Sequence, residues 1–361
     1  MKGCRNRAVT VAGAGIWGCT VARVLAEAGC RVRVLERRAA PGGNCRCEID
    51  PSTGIEIHSY GSHIFHTSSR EVWDFVNRFT AFNGYRHTVL AHHNGRDYHL
   101  PLGRTLYREF GTDDPQAVFD AFIRNYTAKQ WGMPADRVDP AVIRRLKVRD
   151  TDSIRYFDDP FEGIPSEGFN RLFDRLLDHP GISLECGHAV TLAEIEAAEE
   201  DVFYSGPIDG LFDFRFGPLP WRTLRFELER RAVADAQGTS VVNYVDADVP
   251  YTRQHEYKHF HPEWRDVMAR GETVLCREYP KAWEPGDEPY YPISSPESQA
   301  LLERYRTETA RVPNLIVGGR LGGYRYLDMD KSVADALAVA GAWLEKQERI
   351  SNGSDKGQAD G

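Results

Sequence analysis

The segment Val11-Ala12-Gly13-Ala14-Gly15-Ile16-Trp17-Gly18 constrains the fold more than any other part of the chain. It lies between an apolar run, residues 8–12, and a helix-forming stretch, residues 19–29, and it spells G-x-G-x-x-G. In that setting Gly13 permits a tight turn, Gly15 lets backbone approach a pyrophosphate, and Gly18 lets helix and strand pack closely. The helix N-terminus adds amide donors and the positive end of a dipole for the phosphates. A second apolar run, residues 31–35, ends at Glu36, about twenty residues beyond the loop, where a carboxylate accepts ribose hydroxyls and disfavours a 2′-phosphate. The pattern predicts a Rossmann-like dinucleotide-binding domain.

Composition bounds what surrounds it. The chain has 361 residues, 41% apolar and 27% charged, which suits a soluble globular protein of more than one domain. No apolar run is long enough for a membrane span, and the N-terminus runs straight into a strand rather than a leader, so a cytoplasmic protein is expected. The formal charge of −8, with scattered rather than clustered cations, argues against a nucleic-acid-coating function. Seven cysteines are present, and only Cys45 and Cys47 stand close together. With no second pair at zinc spacing, reduced thiols and no metal are expected.

Along the chain, residues 55–60 read as a strand, 70–79 as a helix, and 88–102 as a hairpin about Asn94-Gly95. Residues 114–130 read as one helix with Pro115 at its first position. Beyond residue 205 short β-like runs follow at 223–227, 240–245, 256–260 and 273–278. Residues 314–318 read as a buried strand and 332–346 as a closing helix. The expected architecture is α/β: a discontinuous dinucleotide domain (1–80, 162–208, 311–348), an inserted antiparallel sheet domain (81–102, 209–310) and a small helical domain (103–161). Residues 349–361 read as a disordered tail.

Several segments together are similar to the UDP-galactopyranose mutase family. Glu36 to Asn44, with its Gly42-Gly43 turn, resembles the stretch that wraps FAD in flavoproteins of the amine-oxidase type. His58-Ser59-Tyr60-Gly61-Ser62-His63-Ile64-Phe65-His66-Thr67 resembles the family's flavin-flanking loop, and Tyr126-Thr127-Ala128-Lys129-Gln130-Trp131-Gly132 its nucleotide-binding segment. Tyr204-Ser205-Gly206-Pro207, Pro250-Tyr251-Thr252-Arg253, Arg277-Glu278-Tyr279-Pro280, Tyr290-Tyr291-Pro292 and Gly318-Gly319-Arg320 with Tyr324-Arg325-Tyr326-Leu327-Asp328-Met329 follow in order. The resemblance implies FAD, active when reduced, attacking the anomeric carbon of a nucleoside-diphosphate sugar through N5 so that the ring opens and recloses as furanose or pyranose.

It also implies roles. Arg149 and Arg277 would clamp the diphosphate, since guanidinium forks hold phosphate oxygens bidentately, with Tyr326 and Tyr291 as phenol donors. Tyr126 and Trp131 would flank the base, with Tyr156, Phe157, His87, Arg253 and Asp328 also in the substrate site. His63 and His66 would lie beside the flavin. Gly13, Gly15, Ile16, Trp17, Gly18, Glu36, Arg37, Gly43, Asn44, His63, Arg320, Asp328 and Met329 would hold the cofactor. An electron donor such as NAD(P)H, a homodimer and no membrane or nucleic-acid partner complete the expectation. The plainer readings are a hydrogen-bonded core histidine for His66, a core aromatic for Trp131 and a solvated helix-end charge for Arg149.

Three departures bear on substrate. The helical region is shorter than the family's, Asp150 to Arg155 replaces an aromatic and Asn-rich tract, and His87 stands where the family has an asparagine that contacts the sugar. They point to a different nucleotide or sugar, a deoxysugar included. The alternatives are an amine-oxidase-type flavin oxidoreductase and a flavin-nucleophile enzyme that makes or breaks a glycosidic bond.

Overall fold

A computed structural model describes residues 6–138 and 148–356. Its first layer is a five-stranded, wholly parallel sheet in the order Leu315–Val317, Asp201–Tyr204, Ala8–Ala12, Arg31–Glu36, Ile182–Cys186. Parallel strands need crossovers and are covered on both faces, which accounts for the near-continuous burial of residues 9–12. Helix Ile16–Glu27 returns from the first strand to the second and packs against the long helix Met329–Lys356. Ala8–Ala12 has its sequence successor on one side and Asp201–Tyr204 on the other, so the crevice beyond its carboxyl end is the switch point where ligands bind in such sheets.

The second sheet has seven strands in the order Tyr291–Pro292, Trp221–Arg231, Thr273–Ala282, Arg253–Glu256, Val241–Tyr244, Val89–His93, Arg96–Leu100. It is antiparallel except for one pair, Val241–Tyr244 beside Val89–His93, which runs parallel and makes the sheet mixed. That pair joins two distant stretches of chain and cannot be read from either run alone. The hairpin about Asn94-Gly95 forms as expected, both residues having positive φ. Residues 256–260 do not continue a strand. Tyr257–Phe260 coils into a 3-10 turn, burying Tyr257 and Phe260 while Lys258 Nζ donates to the carbonyls of Ala234, Arg270 and Glu272 at 2.7–3.1 Å.

Between the two sheets in sequence, Arg104–Phe110 and Pro115–Trp131 are helical. The second stretch is broken by a π-helical turn over Asp120–Arg124, a feature that re-aims side chains near functional sites. Phe110, Phe122 and Tyr98 meet edge to face at 5.0–5.7 Å and seat these helices on the hairpin. The closing helix runs from Met329 to Lys356, so residues 349–356 are helical rather than a disordered tail. An Arg349–Glu345 pair and the Ser351 hydroxyl on the Gln347 carbonyl extend it, and 357–361 lie outside the described residues. No disulfide joins the cysteines of the described residues, Cys4 lying beyond them. Among the described residues no helix is long and apolar enough to cross a membrane.

Candidate functional site

Two adjoining cavities open beyond the carboxyl end of Ala8–Ala12. The first, about 210 Å³, is lined by Gly13, Gly15, Ile16, Trp17, Glu36, Arg37, Gly43, Asn44, His63, Arg320 and Met329 of the expected cofactor residues. Gly18 lies behind it as a packing residue: a Cβ there would meet the Gly13 carbonyl oxygen at 1.9 Å. Gly13, at φ +104, turns under Ser205, whose Oγ would lie 2.3 Å from a Cβ. Gly43 meets Gly15 so closely that its Cβ would come within 2.9 Å of the Gly15 Cα. Backbone thus lies bare along the cradle, as a pyrophosphate requires.

Glu36, buried at 4% exposure, accepts from Ala14 N at 2.7 Å and from Arg38 N at 2.8 Å. It therefore fixes both the glycine loop and the next turn. Arg38, which the sequence places inside the Glu36 to Asn44 segment without singling it out, lines the same cavity, and its Nη1 is buried without a partner. An orphaned guanidinium N–H is costly unless an acceptor arrives, so the donor set fits an anionic dinucleotide. Asp328 is the correction here. It lines the second cavity and not the first, although its neighbours Leu327 and Met329 line the first.

The second cavity, about 470 Å³, shares Asn44, His63, Arg320 and Met329 with the first. His66, His87, Tyr126, Trp131, Arg149 and Tyr156 line it, as do Phe157, Arg253, Tyr291, Tyr326 and Asp328. Phe157 stacks on His66 at 3.6 Å between centroids and on His87 at 5.4 Å, and Tyr291 stacks on Tyr326 at 5.6 Å. His66 Nδ1 lies 2.7 Å from Asp159 Oδ2. Arg149 is no solvated charge: its guanidinium donates to the Arg155 and Tyr156 carbonyls at 3.1 and 2.7 Å and to Asp158 at 2.9 Å.

Arg277 is not in either cavity. Strand alternation sends its side chain to the far face, where Nη2 reaches Glu229 at 2.9 Å and Nε reaches Gln254 at 3.1 Å. The neighbour Glu278, 1% exposed, points inward instead, opposite Arg253 in register. Arg253 Nη1 donates to Glu278 Oε1 at 3.3 Å, and His255 Nε2 lies 3.2 Å from the other oxygen. The diphosphate clamp assigned to Arg277 is thereby excluded. Arg253, Glu278 and His255 face the cavity as a set; parity along the strand, counted from the family segments, was the signal that could have found Glu278 and His255.

Charge in the second cavity is arranged for an anion. Burial pushes the pKa of Glu278 up, but Arg253 and His255 outweigh it and hold the carboxyl below its ordinary value. Burial opposes the charge on Arg253, and the acidic groups around it, of which the Glu278 carboxylate is ionised near pH 7, more than restore it. Burial, then Arg320, pushes His63 down to about 4. Burial, then Arg253, pushes His87 down to about 3. Both rings are neutral near pH 7. Since the Gly61 carbonyl can only accept, His63 Nδ1, 2.6 Å away, carries the proton and Nε2 is left an acceptor. Burial raises the phenols of Tyr126 and Tyr291, which therefore stay protonated and act as donors. The Tyr126 hydroxyl, Gln130 Oε1 and Asn243 Oδ1 are buried without partners in this one cavity. Three unmet polar groups in the residues of one cavity wall make that wall polar, as a site for a polar ligand requires.

Comparison with known proteins gives the lineage of this arrangement. The family model GLF, UDP-galactopyranose mutase, matches residues 121–326, and an NAD(P)-binding Rossmann-like model matches 11–79. A dTDP-fucopyranose mutase of Escherichia coli is 35% identical over 93% of this chain and 98% of its own length. A UDP-galactopyranose mutase of Mycoplasma pneumoniae is 32% identical over 93% of this chain and 96% of its own. A crystal structure of reduced UDP-galactopyranose mutase superposes with a TM-score of 0.68 at 16% identity, covering 94% of this chain and 96% of that one. A putrescine oxidase variant superposes at 0.59 with 13% identity, covering 95% and 100%; at that identity the likeness is one of fold.

Proposed function

We propose a substrate and a chemistry for this chain from one premise: it belongs to the UDP-galactopyranose mutase family. It is an isomerase of the mutase type, and it interconverts the pyranose and furanose forms of a nucleoside-diphosphate sugar. The observation that carries this reading is the shared wall of Asn44, His63, Arg320 and Met329, which sets a polar, cationic cavity directly against the dinucleotide cradle.

FAD in its reduced form is the group the first cavity would hold, and it supplies a nucleophilic nitrogen for the anomeric carbon. Glu36 would take its ribose, the bare backbone at Gly13, Gly15 and Gly43 its pyrophosphate, and Arg38 an anionic oxygen. On the substrate side, Arg149 and Arg253, both in the wall of the second cavity, would bind the diphosphate and hold it as a leaving group within reach of the sugar. The protonated phenols of Tyr126 and Tyr291 donate to the same oxygens or to sugar hydroxyls. Neutral His63 adds no charge beside Arg320 and offers Nε2 as an acceptor. Phe157 and Tyr291 would cover the sugar, with Tyr326, itself exposed, stacked on Tyr291. Keeping the cofactor reduced calls for an electron donor, NAD(P)H being the class proposed.

Candidate substrates are UDP-galactose and dTDP-fucose, the two sugars that the names of the relatives print. The test is to incubate purified protein with each, oxidised and after dithionite, and to separate pyranose from furanose product by anion-exchange chromatography. Turnover confined to the reduced protein, with no stoichiometric consumption of reductant, is expected. Substrate-dependent bleaching of oxidised flavin with oxygen uptake would sink the reading in favour of an amine-oxidase-type oxidoreductase.

A further inference from the structure

Glu288 lines neither cavity, yet it ties them together. It leads into Tyr290 and Tyr291, both in the wall of the second cavity, and its own carbonyl is held by the Thr223 hydroxyl at 2.7 Å. Its carboxylate accepts from Arg37 and, at 2.8 Å, from Arg38 Nη2. Both arginines belong to the first cavity. Burial pushes the carboxyl of Glu288 up, and Arg38 with Arg37 outweighs it and holds the group ionised below its ordinary range.

Arg38 is committed on several sides. Its backbone N donates to Glu36, its Nη2 also reaches Asn44 Oδ1 at 2.7 Å, and its guanidinium carbon lies 4.3 Å from the centre of the Tyr60 ring. Asn44 and Tyr60 line the second cavity. Its Nη1 is buried and without a partner. One side chain therefore holds an unmet donor within the wall of the dinucleotide cavity while its other contacts are the substrate cavity's wall and the segment that carries two of that cavity's phenols.

We propose that Glu288 is a positioning residue that acts through Arg38: it holds the guanidinium so that Nη1 meets the anionic cofactor, and it thereby couples occupancy of the first cavity to the shape of the second. The inference rests on the reading that the first cavity takes FAD. Coupling of this kind is reciprocal, so substrate diphosphate should bind better once FAD is in place, and FAD better once the diphosphate is.

The experiment titrates FAD into the deflavinated full chain, followed by flavin fluorescence, for wild type, Glu288→Gln, Arg38→Met and the double variant. UDP affinity is measured with and without FAD by calorimetry. Losing one charge-assisted contact weakens FAD about tenfold in each single variant. The double variant should be little weaker than Arg38→Met, because the other partner of Glu288, Arg37, is far more exposed than Arg38 and Arg38 is the route by which the carboxylate reaches the cofactor. The gain in UDP affinity on adding FAD should shrink in Glu288→Gln and return in part in Glu288→Asp, which keeps the charge. Unaltered FAD affinity in Glu288→Gln overturns the proposal, as does a double variant about a hundredfold weaker than wild type, which would mean independent effects. If wild type itself takes up no FAD, the reading of the first cavity fails and this inference with it.

Discussion

His87→Asn tests whether the second cavity keeps its histidines neutral by burial. The ring is 5% exposed, with Nδ1 2.9 Å from the Tyr85 hydroxyl, and burial followed by Arg253 pushes its pKa down to about 3. In the unfolded chain a histidine titrates near ~6.5. Between those values the unfolded state binds a proton that the folded state refuses. The stability present above about pH 6.5 is therefore lost as the pH falls toward the folded pKa. Each pH unit is worth about 1.4 kcal/mol, so at about pH 4.5 this one ring costs about 2.7 kcal/mol relative to neutral pH. Asparagine places Oδ1 where Nδ1 stood and has nothing to titrate. Urea unfolding of ligand-free wild type and variant at about pH 7.5 and about pH 4.5 isolates the effect, since every other titrating group cancels in the difference. The variant should gain about 2–3 kcal/mol on wild type over that interval. A difference that stays constant with pH would show that the ring is hydrated and titrates as it does in the unfolded chain.

Other consequences can be checked singly. Arg277→Ala should leave UDP affinity unaltered in calorimetry, whereas Arg149→Ala should weaken it about tenfold or more; the reverse order would refute the parity assignment on Thr273–Ala282. Gly18→Ala drives a Cβ to 1.9 Å from the Gly13 carbonyl oxygen, so flavin-bound protein should fail to accumulate, and a normal flavin absorbance per chain would contradict the packing argument. Lys129 Nζ shares its three N–H donors among the carbonyls of Tyr244, Asp246, Val249 and Tyr251, which lie 2.7–3.2 Å away. Lys129→Met should cost about 2–4 kcal/mol in urea unfolding by stranding those acceptors, and a loss under about 0.5 kcal/mol would mean that water replaces the ammonium.

What could be read in the sequence was local. The glycine loop, its strand and Glu36 fall within about thirty residues, the length of one βαβ unit, and each residue type has a single geometric reason to be there. The Asn94-Gly95 hairpin is legible on the same grounds, since a two-residue turn with positive φ selects those residues. The parallel pairing of Val241–Tyr244 with Val89–His93 is not. Its partners are far apart in sequence, and nothing in a run of four residues states which distant edge it will meet. The 3-10 turn at Tyr257–Phe260 reads as a strand in the sequence for a related reason: its aromatics serve burial in either conformation, and what selects the turn is the set of carbonyls that Lys258 reaches from other segments.

At the site the same division holds, with a sharper lesson in parity. Side chains alternate across a strand with a period of two, so an assignment that is off by one residue moves a charge to the opposite face of the sheet. Arg277 and Glu278 differ by that one step. The arginine attracts notice because phosphate binding calls for a cation, yet the cavity receives the carboxylate, and its cation comes from Arg253 on the neighbouring strand. A lone buried carboxylate would repel a diphosphate. Paired with Arg253 and beside His255, it instead leaves the guanidinium ionised and fixed in place before any ligand arrives, and a preset donor loses less freedom on binding than a mobile one. Glu288 repeats the device for Arg38 across the other cavity. Each carboxylate becomes visible as functional only when the partner strand or domain that carries its arginine is in view, and for that reason neither could be singled out from its own neighbours in the chain.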